Sequence, residues 1–186
     1  MSNSFDQAAW EQELRTKRAE KDEFFETHPQ SPIPPEKRDS FDGLSYADPD
    51  PTFRVTATVT VHEQPEPIEM ETSAGPNVRY LRTVTFEFTV NNETYTLCGY
   101  KQAQDEAQPI FVPFRDKTTG QQSYEQGRYM ELSPSDSLET GDKVTIDFNL
   151  AYTPFCAYNE AFSCPLAPKE NWLSCIILAG ENEPPL

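Results

Sequence analysis

The sequence predicts a mostly β fold, an antiparallel sheet curled into a barrel or sandwich, with an N-terminal helix packed on its outside. Three observations carry this expectation. Phe53, Val55, Ala57, Val59 and Val61 alternate with Arg54, Thr56, Thr58, Thr60 and His62, the period of a strand with one buried and one polar face. Val84, Phe86, Phe88 and Val90 repeat the pattern. Asn91-Asn92, a pair that tolerates the positive torsions of a tight hairpin turn, then leads to Tyr95 and Leu97 on a partner strand. Further short strands are expected at 110–115, 129–132, 143–150 and 173–178, and about seven strands with turn signals between them fit a closed or stacked antiparallel sheet.

Ahead of the sheet, residues 4–27 read as a helix. Ser4 and Gln7 can form a capping box, and Trp10, Leu14 and Phe25 share a stripe. The stripe is sparse, so the helix is expected to lie across the surface, held by Trp10 and the Phe24–Phe25 pair. Pro29, Pro32, Pro34, Pro35, Pro49 and Pro51 follow, each removing a donor and fixing a torsion, so an irregular connection wrapped on the domain is expected there. The organisation is then a helix (1–28), a proline-rich linker (29–51) and one β domain (52–186), which suits a chain of 186 residues.

The charge excludes several classes of partner. With 31 acidic against 15 basic side chains the formal charge is -16, and such a surface is repelled by phosphate backbones and anionic headgroups. No nucleic-acid or membrane role is expected. No apolar run approaches the ~20 residues of a spanning helix, and the N-terminus lacks a basic-then-apolar leader, so the expected location is cytoplasmic. The acidic residues are spread along the chain: Asp48 and Asp50, then Glu63, Glu66, Glu69 and Glu71, then Asp105 and Glu106. Ordinary solubility would explain them. Concentrated salt, where a Debye length of ~3 Å at about 1 M removes carboxylate repulsion, explains a whole-surface distribution better.

Polar chemistry collects in two segments. In the first, Arg115 and Asp116 end an apolar strand, Gly120 and Gly127 permit sharp turns, and Arg128 returns with Tyr124 and Tyr129 beside it. An arginine so placed needs an anion, either an intramolecular carboxylate that locks a turn or the carboxylate or phosphate of a ligand. In the second, Asp147 and Asn149 lie two apart, so on a strand they share one face while Ile146, Phe148 and Leu150 fill the other. Tyr152, Cys156 and Asn159 follow. A carboxylate beside amides, tyrosines and a thiol can orient a small ligand; equally, Asp147 and Asn149 can satisfy backbone groups of the loop that follows.

The strings FVPFRD-x-TxG-x-x-x-Y-x-x-GRY, DFN-x-AY-x-P-x-CAYN, SCPL-x-P-x-EN and AGE resemble the family called domain of unknown function 1684. The resemblance extends to Lys21-Asp22 through Phe25, Ser31-Pro32 and Phe41-x-Gly43-Leu44-x-Tyr46, and so covers most of the chain. It implies no reaction and no cofactor. It marks Arg115, Asp116, Thr118, Gly120, Tyr124, Gly127, Arg128 and Tyr129 in the first segment, and Asp147, Asn149, Tyr152, Cys156, Asn159, Cys164, Asn171 and Glu181 beyond it, as signature positions. Thr153, Trp172 and Asn182 depart from the pattern, the last two by losing a positive charge.

Four cysteines, at 98, 156, 164 and 175, form no CxxC pair, and two histidines complete the set, so no metal site is expected. Cys156 and Cys164 can close a short disulfide loop, but in a reducing compartment all four are expected as thiols. Neither His28 nor His62 has an evident nucleophile nearby, and no glycine-rich phosphate cradle is present. The leading expectation is a pocket for a small polar or anionic ligand, built from Arg115, Tyr124, Arg128, Asp147 and Asn149, with the flanking Asp116, Tyr129, Tyr152, Cys156 and Asn159. The alternatives are an enzyme using that pocket with Asp147 or Cys156 as reactive group, and a non-catalytic protein-interaction module. The cofactor and the oligomeric state stay open.

Overall fold

The computed structural model describes residues 4–102, 109–134 and 136–185. Six strands form one antiparallel sheet: β1 (Arg54–Met70), β2 (Val78–Val90), β3 (Glu93–Lys101), β4 (Ile110–Phe114), β5 (Arg128–Leu132) and β6 (Lys143–Asp147). Their order is β5-β4-β3-β2-β1-β6, so the chain meanders from β1 to β5 and β6 returns to the free side of β1. The sheet curls into a half-barrel, and its concave face holds the core: Val55, Ala57, Val59, Phe86, Phe88, Leu97, Val112, Phe114, Ile146 and Phe148. These are the apolar positions of the period-two runs. Asn91 and Asn92 take φ of 50° and 66°, as a tight hairpin turn requires. Gly99 lets β4 settle against the core, since a Cβ there would stand 2.4 Å from Ile110 Cγ2 and 2.7 Å from Val84 Cγ1.

Several elements differ from the sequence expectation. β1 continues past His62 to Met70 and β2 begins at Val78, making one long hairpin. Pro65 and Pro67 hide this extension in the sequence. The register shifts between Val61 and Glu66, and that irregularity takes up Pro65, which has no proton to donate to the ladder. The strand expected at 143–150 stops at Asp147. Its carboxylate accepts the Asn149 N–H at 3.0 Å and starts a 3-10 turn, Phe148–Leu150. Asp147 and Asn149 therefore do not share a strand face, and Leu150 is 46% exposed instead of filling the opposite one.

No strand forms at 173–178, although the burial alternation is real. Asn171, Leu173, Cys175, Ile177 and Ala179 are buried while Trp172, Ser174, Ile176 and Leu178 are exposed. The segment lies extended over the concave core. Its backbone is satisfied by side chains and by the loop after β4, with the Leu173 N–H donating to the Arg115 carbonyl at 2.7 Å and the Lys117 N–H to the Cys175 carbonyl at 2.9 Å.

Helix α1 (Gln7–Thr27) is capped by Asp6, whose carboxylate accepts the Ala9 N–H at 3.0 Å; the Ser4 box does not form. Asp6 immediately precedes the first turn, within reach of the orphan donor of the third helical residue. Leu14 and Phe25 are its buried residues, and Phe25 packs with Ile33, Phe41 and Tyr158 in a small second core. The proline-rich connection is irregular except for one helical turn, α2 (Pro35–Arg38). Asp22 accepts the Leu44 N–H at 3.0 Å and Arg18 donates to the Ala47 carbonyl at 2.8 Å, which fastens the connection to α1. Among the described residues no helix is long and apolar enough to cross a membrane. Asp105 and Glu106 of the acidic clusters lie outside the described residues.

Candidate functional site

Arg128 opens β5 and is 2% exposed. Its anion is intramolecular. One terminal nitrogen donates to the carbonyl of Ala179 and, at 3.1 Å, to that of Glu181; the other donates to the Ile177 carbonyl at 3.0 Å and to Asp116 Oδ1 at 3.3 Å. Asp116 in turn accepts the Ile177 N–H at 2.8 Å and the Thr118 hydroxyl at 2.9 Å. Gly127 permits the approach: it sits at φ +95°, where a Cβ would lie 2.5 Å from the Phe114 carbonyl oxygen. Burial pulls the Arg128 pKa down, and the neighbouring carboxylates of Asp116 and Glu181 oppose that pull. Arg115 is half-buried, donates to the Glu125 carbonyl and lies 4.9 Å from the Trp172 ring centroid.

Asp147 and Asn149 serve the N-terminal segment. Trp10 Nε1 donates to Asp147 Oδ2 at 2.7 Å, which pins α1 to the end of β6. The Asn149 amide accepts the Asp50 N–H and donates to the Asp50 carbonyl, both at 2.9 Å, so it reads the linker backbone as a strand would. Asn159 shapes a turn by accepting the Ala161 N–H at 2.9 Å. Asn171, buried, does the same for the sheet: its amide accepts the Cys98 N–H at 2.7 Å and donates to the carbonyls of Cys98 and Pro113 at 2.9 and 2.8 Å.

The two polar segments meet elsewhere. Tyr129 and Tyr152 exchange backbone hydrogen bonds of 2.8 and 2.9 Å, and their rings form an edge-to-face pair with centroids 5.8 Å apart. The row continues on the convex face through Phe111, 4.7 Å from Tyr129, to Tyr80, 5.5 Å from Phe111. With Tyr100, Lys101 and Glu131 these rings line a cleft of about 470 Å³. The phenol protons are already committed within the protein: Tyr152 to Glu131 at 2.9 Å, Tyr129 to the Pro165 carbonyl, Tyr100 to Glu170. Burial pushes all three pKa values up, so the phenols stay neutral. What the cleft offers is aromatic area, phenol lone pairs, the Glu131 carboxylate and the Lys101 side chain.

A model for proteins of unknown function (DUF1684) matches residues 39–182. The chain belongs to the DUF1684 family. The solution NMR structure of an uncharacterized protein from Haloarcula marismortui is similar at 59% identity, with a TM-score of 0.75, covering 94% of this chain and 95% of that one. A search of curated proteins finds no match. The DUF1684 match contains every strand, the cleft and both polar segments, whereas α1 precedes it.

Beside the cleft of this DUF1684 chain lie two thiols. Cys156 and Cys164 are half-exposed, the nearby Phe155 and Phe162 rings pack edge to face with centroids 5.4 Å apart, and Tyr124 Oη stands 4.0 Å from Cys156 Sγ. Ser73 Oγ accepts the Cys164 N–H at 3.0 Å and directs its own proton at Cys156. The donors around it, the Cys164 thiol first, bring Cys156 down to about 6, and the same contact with burial drives Cys164 up. Sequence reasoning missed Tyr80, Tyr100, Phe111, Glu131 and Ser73. Tyr80 and Tyr100 were legible only as the second face of β2 and β3, where an aromatic hydroxyl reads as polar.

Proposed function

We infer that this protein binds a small, uncharged polar ligand carrying hydrogen-bond donors, in the cleft walled by Tyr80, Tyr100, Phe111, Tyr129 and Tyr152. The carrying observation is the row of aromatic rings on the convex face with acceptors at its edge: Glu131, and phenol oxygens whose protons are used elsewhere. Concave sites of several hundred cubic ångströms, mostly apolar with a few placed polar groups, are where small molecules bind. Ring faces supply the contact area, and acceptors select a ligand rich in O–H or N–H. An anion is disfavoured, because Glu131 borders the cleft, the Lys101 side chain on its lining is already engaged within the protein, and Arg128 lies off the lining with its terminal nitrogens on carbonyls and Asp116. Arg115, Asp116, Arg128, Asp147, Asn149 and Asn159 enter this reading as the frame that holds Tyr129 and Tyr152 in place.

Saturation-transfer NMR with hexoses and nucleosides as probes tests it. Transfer to the probe ring protons is expected for the wild type and lost in both Tyr80→Ser and Tyr152→Ser with the fold retained. Absence of transfer from every probe, or transfer unchanged in both variants, overturns the reading.

A further inference from the structure

We propose that Cys156 and Cys164 are a two-electron thiol–disulfide couple, with Cys156 the attacking sulfur, Cys164 the resolving one and a small-molecule disulfide the oxidant. Four features of the geometry carry this. The Phe155 and Phe162 rings meet with centroids 5.4 Å apart, which draws the two ends of the loop together, and each thiol is the largest influence on the other's ionisation, so the resolving thiol is near the sulfur it must attack. Both are half-exposed, while Cys98 and Cys175 are buried. The chain between the pair folds back through a turn, with the Phe162 N–H donating to the Asn159 carbonyl at 3.1 Å and the Ala161 N–H to Asn159 Oδ1 at 2.9 Å, so a bridge closes a loop that is already bent. Cys156 is surrounded by donors from three separate elements: the Cys164 thiol, the Ser73 hydroxyl and the Tyr124 hydroxyl. Such a shell favours the thiolate, the nucleophilic form.

The chemistry balances without a further reagent. The pair shares one proton and one negative charge. The Cys156 thiolate attacks one sulfur of RSSR, an S–S bond forms to Cys156, the external S–S bond breaks, and RS⁻ leaves. The Cys164 sulfur then attacks Cys156 Sγ, expels the second RS⁻ and gives up its proton to it. Two protein sulfurs are oxidised, RSSR is reduced to RS⁻ and RSH, and the reverse sequence restores the thiols.

The test equilibrates the full chain in mixtures of 2-hydroxyethyl disulfide and 2-mercaptoethanol, quenches with acid, alkylates and maps peptides by mass spectrometry. Free thiols are expected to fall from four to two in one step, with Cys156 linked to Cys164 and with Cys98 and Cys175 alkylated throughout. Cys164→Ala should accumulate a mixed disulfide on Cys156, and Cys164→Ser serves the same purpose if the alanine variant does not fold. A pair that stays alkylated at every ratio, a bridge to Cys98 or Cys175, or a mixed disulfide that forms on Cys164 in Cys156→Ala faster than on Cys156 in Cys164→Ala overturns the couple. Ligand binding in the cleft is read separately, so failure of either proposal leaves the other standing.

Discussion

Arg128 and Asp116 together take the place of a neighbouring strand. The guanidinium reaches the carbonyls of Ile177, Ala179 and Glu181, every second residue along one edge of an extended segment, and the carboxylate accepts the Ile177 N–H on that edge at 2.8 Å. Five donors in a fixed planar fork can do this; a lysine cannot. Arg128→Ala leaves the buried Asp116 carboxylate without its cation and three carbonyls without their donor. Breaking a buried ion pair from one side costs about 3–5 kcal/mol, so Arg128→Ala and Arg128→Lys should both lower the urea midpoint strongly. A variant that unfolds at the wild-type midpoint would show that the guanidinium does not hold the 177–181 segment.

Asn171 completes a gap between β3 and β4, whose direct pairing is confined to Tyr100 and Phe111. Its amide supplies an acceptor to the Cys98 N–H and donors to the carbonyls of Cys98 and Pro113. Each buried polar group left without a partner costs about 1–3 kcal/mol, so Asn171→Ala should destabilise by a few kcal/mol. Asn171→Asp should be worse, because its second oxygen faces two carbonyls. Chemical denaturation of both variants, with amide exchange at Cys98, checks the order; an aspartate variant as stable as wild type refutes it.

The period-two runs made the sheet legible: Val55 to Val61, Val84 to Val90 and the Asn91-Asn92 turn fall where they were expected. The prolines at 65 and 67 masked the rest of β1, because sequence alone does not show which backbone donors the ladder needs. At 173–179 the alternation was correct but the partner was invisible, since a side chain twelve residues from Asp116 supplies the hydrogen bonds. The same reasoning explains the polar segments. Arg128, Asp147 and Asn149 read as ligand groups because their partners lie in distant segments: backbone carbonyls at 177–181, the indole N–H of Trp10 and the Asp50 backbone. Tyr129 and Tyr152 were found through the motifs, while Tyr80 and Tyr100 joined them only when β2, β3 and β5 came together in the curled sheet.

A formal charge of -16 on 186 residues makes stability depend on salt. Among the described residues few carboxylates are neutralised by a cation at a buried site: Asp116 is paired with buried Arg128, and buried Glu181 is paired with the partly exposed Lys21 and accepts the Thr153 N–H at 2.8 Å. Exposed carboxylates repel over ~10 Å at 0.1 M and over only ~3 Å at about 1 M. Near-UV circular dichroism should therefore weaken, and the thermal midpoint fall, when molar salt is dialysed away. A spectrum and midpoint unchanged from 2 M to 10 mM potassium chloride excludes this.

Lys21→Met probes the docking of α1. Lys21 is the cation on buried Glu181, and its ammonium also lies 4.9 Å from the Tyr152 ring centroid, so it links the helix to both the C-terminal segment and the cleft wall. Removing it strands a buried carboxylate, and the expected loss is about 3–5 kcal/mol. The discriminating measurement is the double variant Lys21→Met with Glu181→Gln. Its urea midpoint should recover part of the Lys21→Met loss, because no unpaired charge is left buried. A double variant whose loss is the sum of the two single losses means that Lys21 acts through packing alone.

The thiol pair gives the sharpest pH signature. Three groups face Cys156, the Cys164 thiol, the Ser73 hydroxyl and the Tyr124 phenol, and all act as donors to its sulfur. They lower its pKa to about 6, whereas burial and the neighbouring thiolate raise that of Cys164. Burial also lifts Cys175, to about 11. The sign is then fixed: below about 6 Cys156 is protonated and slow, and above it the thiolate forms, while the other shifted thiols remain protonated through neutrality. Iodoacetamide alkylation of Cys156, followed by peptide mass spectrometry from pH 4.5 to 9, should rise through an inflection near 6 and level off by neutrality. A low-pKa thiolate is also intrinsically less nucleophilic, so the position of the inflection is the diagnostic and the plateau rate is not. Cys164→Ala removes the largest of the three donors and should move the inflection upward; Tyr124→Phe should move it by less, since its hydroxyl, 4.0 Å away, is the weakest of the three. An inflection near the usual 8.5 of a free thiol in the wild type, unchanged in both variants, rules out a thiolate held by this shell.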